Sequence, residues 1–114
     1  MNVLIVEDNA PMRQMIRNLI EPLAERIYEC SDGSDAAELY GRFSPDWVLM
    51  DVEMPKVDGL TATRRIIAEY PDAKIVMVTD YDEKDLRDAA TDAGACGYVL
   101  KDDLLALRTY LKAI

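Results

Sequence analysis

Trp47-Val48-Leu49-Met50-Asp51-Val52-Glu53-Met54-Pro55-Lys56-Val57-Asp58-Gly59 is the stretch from which the rest of the chain can be placed. Its first four residues are apolar without a break and follow a proline, so they read as a strand buried on both faces, as in the middle of a parallel sheet. Asp51 ends that strand. A carboxylate is costly inside a sheet without a partner, so it has to emerge at the carboxyl edge, where open α/β sheets place their ligand crevices. Pro55 and Gly59 then shape a loop that leads into the next helix.

An aspartate at a strand end is most often a cap or a turn former, and what changes the reading of Asp51 is its company. Glu7 and Asp8 follow the apolar run Val3-Leu4-Ile5-Val6, Thr79 ends Ile75-Val76-Met77-Val78, and Lys101 ends Gly97-Tyr98-Val99-Leu100. In parallel strands these acids, the hydroxyl and the amine converge on one edge.

The 114 residues suit one domain, and half of them are apolar, enough for a core without disulfides or metals as staples. The net charge is -9, from 22 acids against 13 bases, which argues against direct nucleic-acid binding because phosphate contacts need a basic patch. No histidine is available for catalysis. The apolar start is too short for a signal peptide or a membrane span, so a cytoplasmic protein is expected. Cys30 and Cys96 stand at no metal-ligand spacing and fall on opposite edge strands, and are expected to be buried free thiols.

Along the chain, Asn9 and Pro11 open a helix whose Met12, Met15, Ile16, Leu19, Ile20 and Leu23 form one apolar face, ending near Pro22. Arg26 to Cys30 is a weak second strand, and Ser31-Asp32-Gly33-Ser34 is turn chemistry before a helix that reaches Phe43. After Gly59 a third helix turns Leu60, Ala62, Thr63, Ile66 and Ile67 inward and stops before Pro71. Lys74 to Thr79 is the fourth strand, Glu83 to Ala93 the fourth helix, and Gly94 its C-terminal cap. That helix buries mainly Leu86, Ala89, Ala90 and Ala93, a small area, and is expected to be the most easily displaced element. Cys96 to Leu100 is the fifth strand, and Asp102 or Asp103 caps a last helix with Leu104, Leu107, Leu111 and Ile114 inward. Five strands alternating with five helices predict an α/β protein, a doubly wound five-stranded parallel sheet with right-handed crossovers.

Clustered carboxylates repel one another unless a cation sits among them. Oxygen ligands alone point to Mg²⁺, which suits Glu7, Asp8, Asp51, a loop carbonyl, waters and a phosphoryl group. Asp51 is then the candidate nucleophile, giving an aspartyl phosphate, while Lys101 and Thr79 hold phosphoryl oxygens. Taken singly, Lys101 reads as a solvated lysine and Thr79 as a helix cap; the joint pattern carries the inference.

In Val6-Glu7-Asp8-Asn9, Met50-Asp51-Val52-Glu53-Met54-Pro55 with Asp58-Gly59, Val78-Thr79 and Gly97-Tyr98-Val99-Leu100-Lys101, the chain resembles a receiver domain of two-component response regulators over its whole length. The resemblance implies a flavodoxin-like strand order 2-1-3-4-5, and phosphorylation of Asp51 by a phosphohistidine on a sensor histidine kinase or histidine phosphotransfer protein. It implies Mg²⁺ on Glu7, Asp8, Asp51 and the main-chain oxygen of Glu53. It implies a switch in which Thr79 turns to the phosphoryl group, the Tyr98 ring follows inward, and the face of helix 4, strand 5 and helix 5 changes for a downstream protein or output domain. A homodimer is left open, and the chain would catalyse its own phosphotransfer and a slow hydrolysis.

Asp102 follows Lys101 where most receivers carry proline, as in receivers similar to those of nitrate-regulator type with helix-turn-helix output, so no cis peptide is expected there. Asp80 follows Thr79 where Ala, Gly or Ser is usual, placing a further acid beside the pocket as a candidate gatekeeper. Residues 1–114 read as one receiver domain with no output domain in the chain, either free-standing or part of a longer regulator. Two rival enzymes or cofactor binders fit less well. A phosphatase of the haloacid dehalogenase type wants an aspartate where Glu53 stands, and a flavodoxin wants a Gly- and Ser/Thr-rich phosphate loop where Glu7-Asp8-Asn9 stands. The remaining alternative is a pseudo-receiver, an interaction module whose phosphorylation Asp80 impairs.

Overall fold

The computed structural model describes residues 1–112, in the order β1 (Asn2–Val6), α1 (Ala10–Ile20), β2 (Arg26–Cys30), α2 (Ala36–Phe43), β3 (Trp47–Asp51), α3 (Gly59–Glu69), β4 (Ile75–Thr79), α4 (Lys84–Ala93), β5 (Gly97–Leu100) and α5 (Ala106–Lys112). Every pairing is parallel and the sheet order is β2-β1-β3-β4-β5, the doubly wound flavodoxin-like arrangement that the resemblance implied. The uninterrupted apolar runs occupy the middle: every residue of β3 and β4 is buried, whereas the edge strands β2 and β5 are mixed. Their period of two divides the core. Leu4, Val6, Val48, Met50, Ile75 and Met77 face Ala36, Ala62, Ile66 and Ala90 of α2, α3 and α4. Val3, Ile5, Trp47, Leu49, Val76 and Val78 face Ile16, Ile20, Leu107 and Leu111 of α1 and α5.

Asn9 and Gly94 act as read, and Asp58 adds a cap that the sequence reading did not single out. Asn9 caps α1 by accepting the Met12 N–H at 2.9 Å, and Asp58 caps α3 by accepting the Thr61 N–H at 2.8 Å, both satisfying donors that the first turn leaves free. Gly94 ends α4 in the left-handed region at φ 107°. All peptide bonds among the described residues are trans, including that after Lys101.

Four details differ from the sequence expectation. Met15 is exposed, because at 3.6 residues per turn it lies roughly 120° from the centre of the arc that Ile16 and Ile20 bury. Cys96 is exposed and Cys30 only half-buried, since both stand at the sheet's margins; the thiols are free, and burial pushes that of Cys30 up to about 11. Neither Asp102 nor Asp103 starts α5. A run of turns, with the Asp103 N–H on Leu100 O and the Ala106 N–H on Asp103 O, delays the helix to Ala106. Leu107 and Leu111 are buried as expected, Leu104 is half-buried, and Ile114 lies outside the described residues. The inward face of α4 is as thin as its sequence suggests: only Ala90 and Ala93 are fully buried.

A methyl group at Gly94 would meet both a positive φ and Ile67 Cγ1 at 2.7 Å. Gly94→Ala is therefore expected to lower the unfolding free energy by about 1–2 kcal/mol in urea titrations, and an unchanged midpoint would refute the strain.

Candidate functional site

Strand register decides which side chains meet at the carboxyl edge. Val6 pairs with Met50, Asp51 with Val78 and Thr79 with Leu100, so Glu7 emerges beside Asp51, and Lys101 emerges one residue beyond Thr79's partner. Alternation then sorts them. Glu7, Asp51 and Lys101 continue the rows Val3–Ile5, Trp47–Leu49 and Val99 that face α1 and α5, while Thr79 continues Ile75–Met77 on the α3 and α4 side. A cavity of about 420 Å³ opens here, lined by Glu7, Asp8, Asn9, Asp51, Glu53, Met54, Pro55, Thr79, Asp80, Tyr81 and Lys101. The sequence-predicted Glu7, Asp8, Asp51, Glu53, Thr79, Asp80 and Lys101 all reach it. Tyr98 does not.

The centre is an ammonium between two buried carboxylates. Lys101 Nζ lies 2.9 Å from Glu7 Oε1 and 3.2 Å from Asp51 Oδ1. Glu7 is 1 % exposed and Asp51 5 %, so one lysine shared by two acids leaves the pocket short of positive charge. Burial, and then the Glu7 carboxylate beside it, push the Asp51 carboxyl up to about 8, with Lys101 only partly offsetting them. Burial would lower the Lys101 ammonium, but its contacts with Glu7 and Asp51 prevail and raise it. Glu7 Oε2 accepts the Asn9 N–H at 3.1 Å, while Oε1 has only the ammonium and no hydrogen bond of good direction.

These acids have the donor set of a hard cation. Glu7, Asp8 and Asp51 each offer a carboxylate oxygen, all within 4.8 Å of one another, and Asp8 is exposed at the mouth. The underserved Glu7 oxygen and the raised Asp51 carboxyl both mark a site that added positive charge would complete, and Mg²⁺ fits these oxygens.

On the other side of the sheet, Thr79 Oγ1 accepts the Tyr81 N–H at 3.2 Å, and the Tyr81 carbonyl accepts the hydroxyl of Tyr98. The Arg87 guanidinium covers the Tyr98 ring, 4.4 Å from its centroid, and pairs with Asp82 at 2.6 Å. Thr79 and Tyr98 are thus joined through the backbone of residue 81. Asp80 is exposed and lines the pocket, and it is not the cap of α4, a position that Glu83 holds.

Two residues at the site carry little signal in the sequence. Tyr81 stands at the cavity wall, where the Glu53 carboxylate, by its charge and a hydrogen bond, raises the Tyr81 hydroxyl. Asp32, read as turn chemistry, is buried, and its carboxylate accepts three main-chain N–H groups: Ser34 and Val57 on Oδ1 at 2.9 and 3.0 Å, Lys56 on Oδ2 at 2.9 Å. Burial opposes its charge, yet these bonds prevail and hold it down to about 2. An acid between a strand and a Gly-Ser turn can be recognised as a turn former, but its grip on a loop some 25 residues on is a tertiary fact.

The raised carboxyl has a pH consequence. The fold favours protonated Asp51, so its contribution is complete below the ordinary value of 3.8 and is lost as pH rises towards about 8. In chelator, the unfolding free energy is expected to fall across that window, and Asp51→Asn should flatten the fall; equal pH slopes in both proteins would refute it.

Residues 3–112 match the family model described as the response regulator receiver domain. The transcriptional regulatory protein DegU of Brevibacillus brevis is 35 % identical over 102 residues, covering 88 % of this chain and 43 % of that protein. The chain thus spans less than half the length of this relative. A two-component response regulator of the LuxR family from Aurantimonas sp. SI85-9A1 superposes with a TM-score of 0.91 at 32 % identity, over 98 % of this chain and 82 % of that one. The receiver domain of the sensor histidine kinase PA1611 from Pseudomonas aeruginosa PAO1, solved with a magnesium ion coordinated in its active-site cleft, superposes with a TM-score of 0.87 at 29 % identity, over 97 % and 93 % of the two chains. With the whole sheet and its order accounted for and the family model matched by residues 3–112, the chain belongs to the response regulator receiver domains.

Proposed function

We propose that Asp51 is the phosphoryl acceptor of a phosphorylation-dependent signalling switch, taking the group from a phosphohistidine on a sensor histidine kinase or histidine phosphotransfer protein. The observation that carries this reading is the Lys101 ammonium held between the Glu7 and Asp51 carboxylates at the floor of an open pocket. An Asp51 oxygen forms the bond to phosphorus as the phosphorus–nitrogen bond breaks, and the imidazole leaves with the electron pair and takes up a proton. Lys101, already 3.2 Å from an Asp51 oxygen, holds a phosphoryl oxygen, and the Thr79 hydroxyl holds another. Glu7, Asp8, Asp51 and the main-chain oxygen of Glu53 would hold Mg²⁺, which when bound neutralises charge on the transferring group. The same machinery admits water for slow hydrolysis of the aspartyl phosphate.

The switch follows from the connections of Thr79. When its hydroxyl turns to the phosphoryl group, the bond from the Tyr81 N–H is given up, and the Tyr81 carbonyl that anchors Tyr98 is freed to shift. The Tyr98 ring turns inward from beneath Arg87, and α4, fixed mainly by alanines, moves with it. The readout is the face of α4, β5 and α5, presented to a downstream protein, an output domain or a second copy of the chain. Among the described residues no helix is long and apolar enough to cross a membrane, and the acidic surface suits a cytoplasmic signalling protein that binds other proteins and not nucleic acid directly.

With a small phosphodonor and Mg²⁺, mass spectrometry is expected to find one added phosphoryl group on the wild-type chain, none on Asp51→Asn, and little on the wild type in chelator. Modification that survives Asp51→Asn would defeat the assignment.

Asp80 is the gatekeeper in this scheme. At about 6 Å and an effective dielectric near 20, two unit charges repel by about 3 kcal/mol before solvent and Mg²⁺ screen them. Asp80→Ala and Asp80→Asn are both expected to accept phosphate faster, by up to about tenfold, with the difference shrinking as salt rises. Equal rates in all three proteins would remove the role, and a weaker Mg²⁺ affinity in both variants would make Asp80 a metal ligand instead.

A further inference from the structure

The segment 52–58 between β3 and α3 carries Glu53, Met54 and Pro55 of the pocket wall, yet it has few internal ties. It is closed at its base, where the Gly59 N–H donates to Val52 O at 2.8 Å, and a Cβ at Gly59 would fall 2.0 Å from Asp51 O. Its far end is held from across the sheet's edge. The Lys56 and Val57 N–H groups point at the buried Asp32 carboxylate, which the Ser34 N–H also orients. Gly33 lets the two segments touch: a Cβ there would lie 2.4 Å from Val57 O. Two of the three main-chain donors on this carboxylate belong to the 52–58 segment, so it acts as an anchor between segments as well as a turn former.

We propose that Asp32 is a positioning residue for the pocket, fastening the 52–58 segment so that the main-chain oxygen of Glu53 is presented to the cation that Glu7, Asp8 and Asp51 hold. This rests on the Mg²⁺ site proposed above. Asp32 is no member of the carboxylate cluster and acts only through the loop. Partners that orient metal ligands typically change metal affinity by about 10- to 100-fold when removed, and a loop anchor one step further out should lie at the low end of that range.

The test uses the full chain and three variants: Asp32→Ala, Asp32→Asn, and Ile20→Ala, which destabilises the core on the α1 face without touching the loop. Mg²⁺ affinity is measured by calorimetry well below each melting temperature, and amide exchange of residues 52–58 is measured without metal. Asp32→Ala is expected to weaken Mg²⁺ by about tenfold and to lose protection at Lys56 and Val57. Asp32→Asn should fall between it and the wild type, because an amide oxygen keeps the bonds to Ser34 and Val57 while its NH₂ cannot accept from Lys56. Ile20→Ala should bind Mg²⁺ as the wild type does. Unchanged affinity in Asp32→Ala beside normal wild-type binding overturns the positioning role alone, as does an equal loss in Ile20→Ala. A wild-type chain that binds no Mg²⁺ overturns the metal site and this role with it.

Discussion

One lysine serving two buried acids is the constraint around which the carboxyl edge is arranged. Glu7 and Asp51 sit side by side because β1 and β3 are neighbours in register, and each is almost wholly shielded from water. Two carboxylates so close repel one another, and Lys101 reaches both because β5 ends at Leu100, the position paired with Thr79, and the next residue is the lysine. The compensation is incomplete. Asp51 is left with a carboxyl far above its ordinary range, and Glu7 with an oxygen that no well-directed donor serves. A site that is one charge short in its resting form suits an added cation, since a cation supplies what the fold withholds.

The same strands sort the polar side chains onto two sides of the sheet. Glu7, Asp51 and Lys101 share the side of α1 and α5, whereas Thr79 and Tyr98 belong with α3 and α4. The hydrogen-bonded link between Thr79 and Tyr98 is the loop after β4, where Tyr81 gives its N–H to Thr79 and takes the Tyr98 hydroxyl on its carbonyl. Arg87 stabilises the outward ring of Tyr98, and Asp82 orients Arg87, so the resting position is held by contacts on an element that buries little else.

What could be read from residue order follows the strength of local signals. The runs Val3–Val6, Trp47–Met50 and Ile75–Val78 are too apolar to be anything but central strands, and once they are parallel the convergence of Glu7, Asp51, Thr79 and Lys101 needs no further information. Caps at Asn9 and Asp58 and the stop at Gly94 are likewise local. The strand order came from the family resemblance and not from spacing. Errors gather where local signals are weak: at the sheet's margin, where Cys96 stays in solvent, at the flank of α1, where Met15 has no core to enter, and after Lys101, where turns displace the start of α5.

Asp32 shows why the rest of the site was not legible. Its immediate neighbours, Ser31, Gly33 and Ser34, all favour a turn, and the Ser34 bond would satisfy a turn by itself. The two bonds that matter for the pocket come from Lys56 and Val57, and they exist only after β2 and β3 have been placed on either side of β1. A buried carboxylate paired with main-chain donors and no cation is affordable because three N–H dipoles substitute for water, and because the loop they belong to would otherwise leave those groups unsatisfied. The anchor and the loop therefore stabilise each other across the sheet. An acid outside the carboxylate cluster is in this way tied to the segment that forms one wall of the pocket.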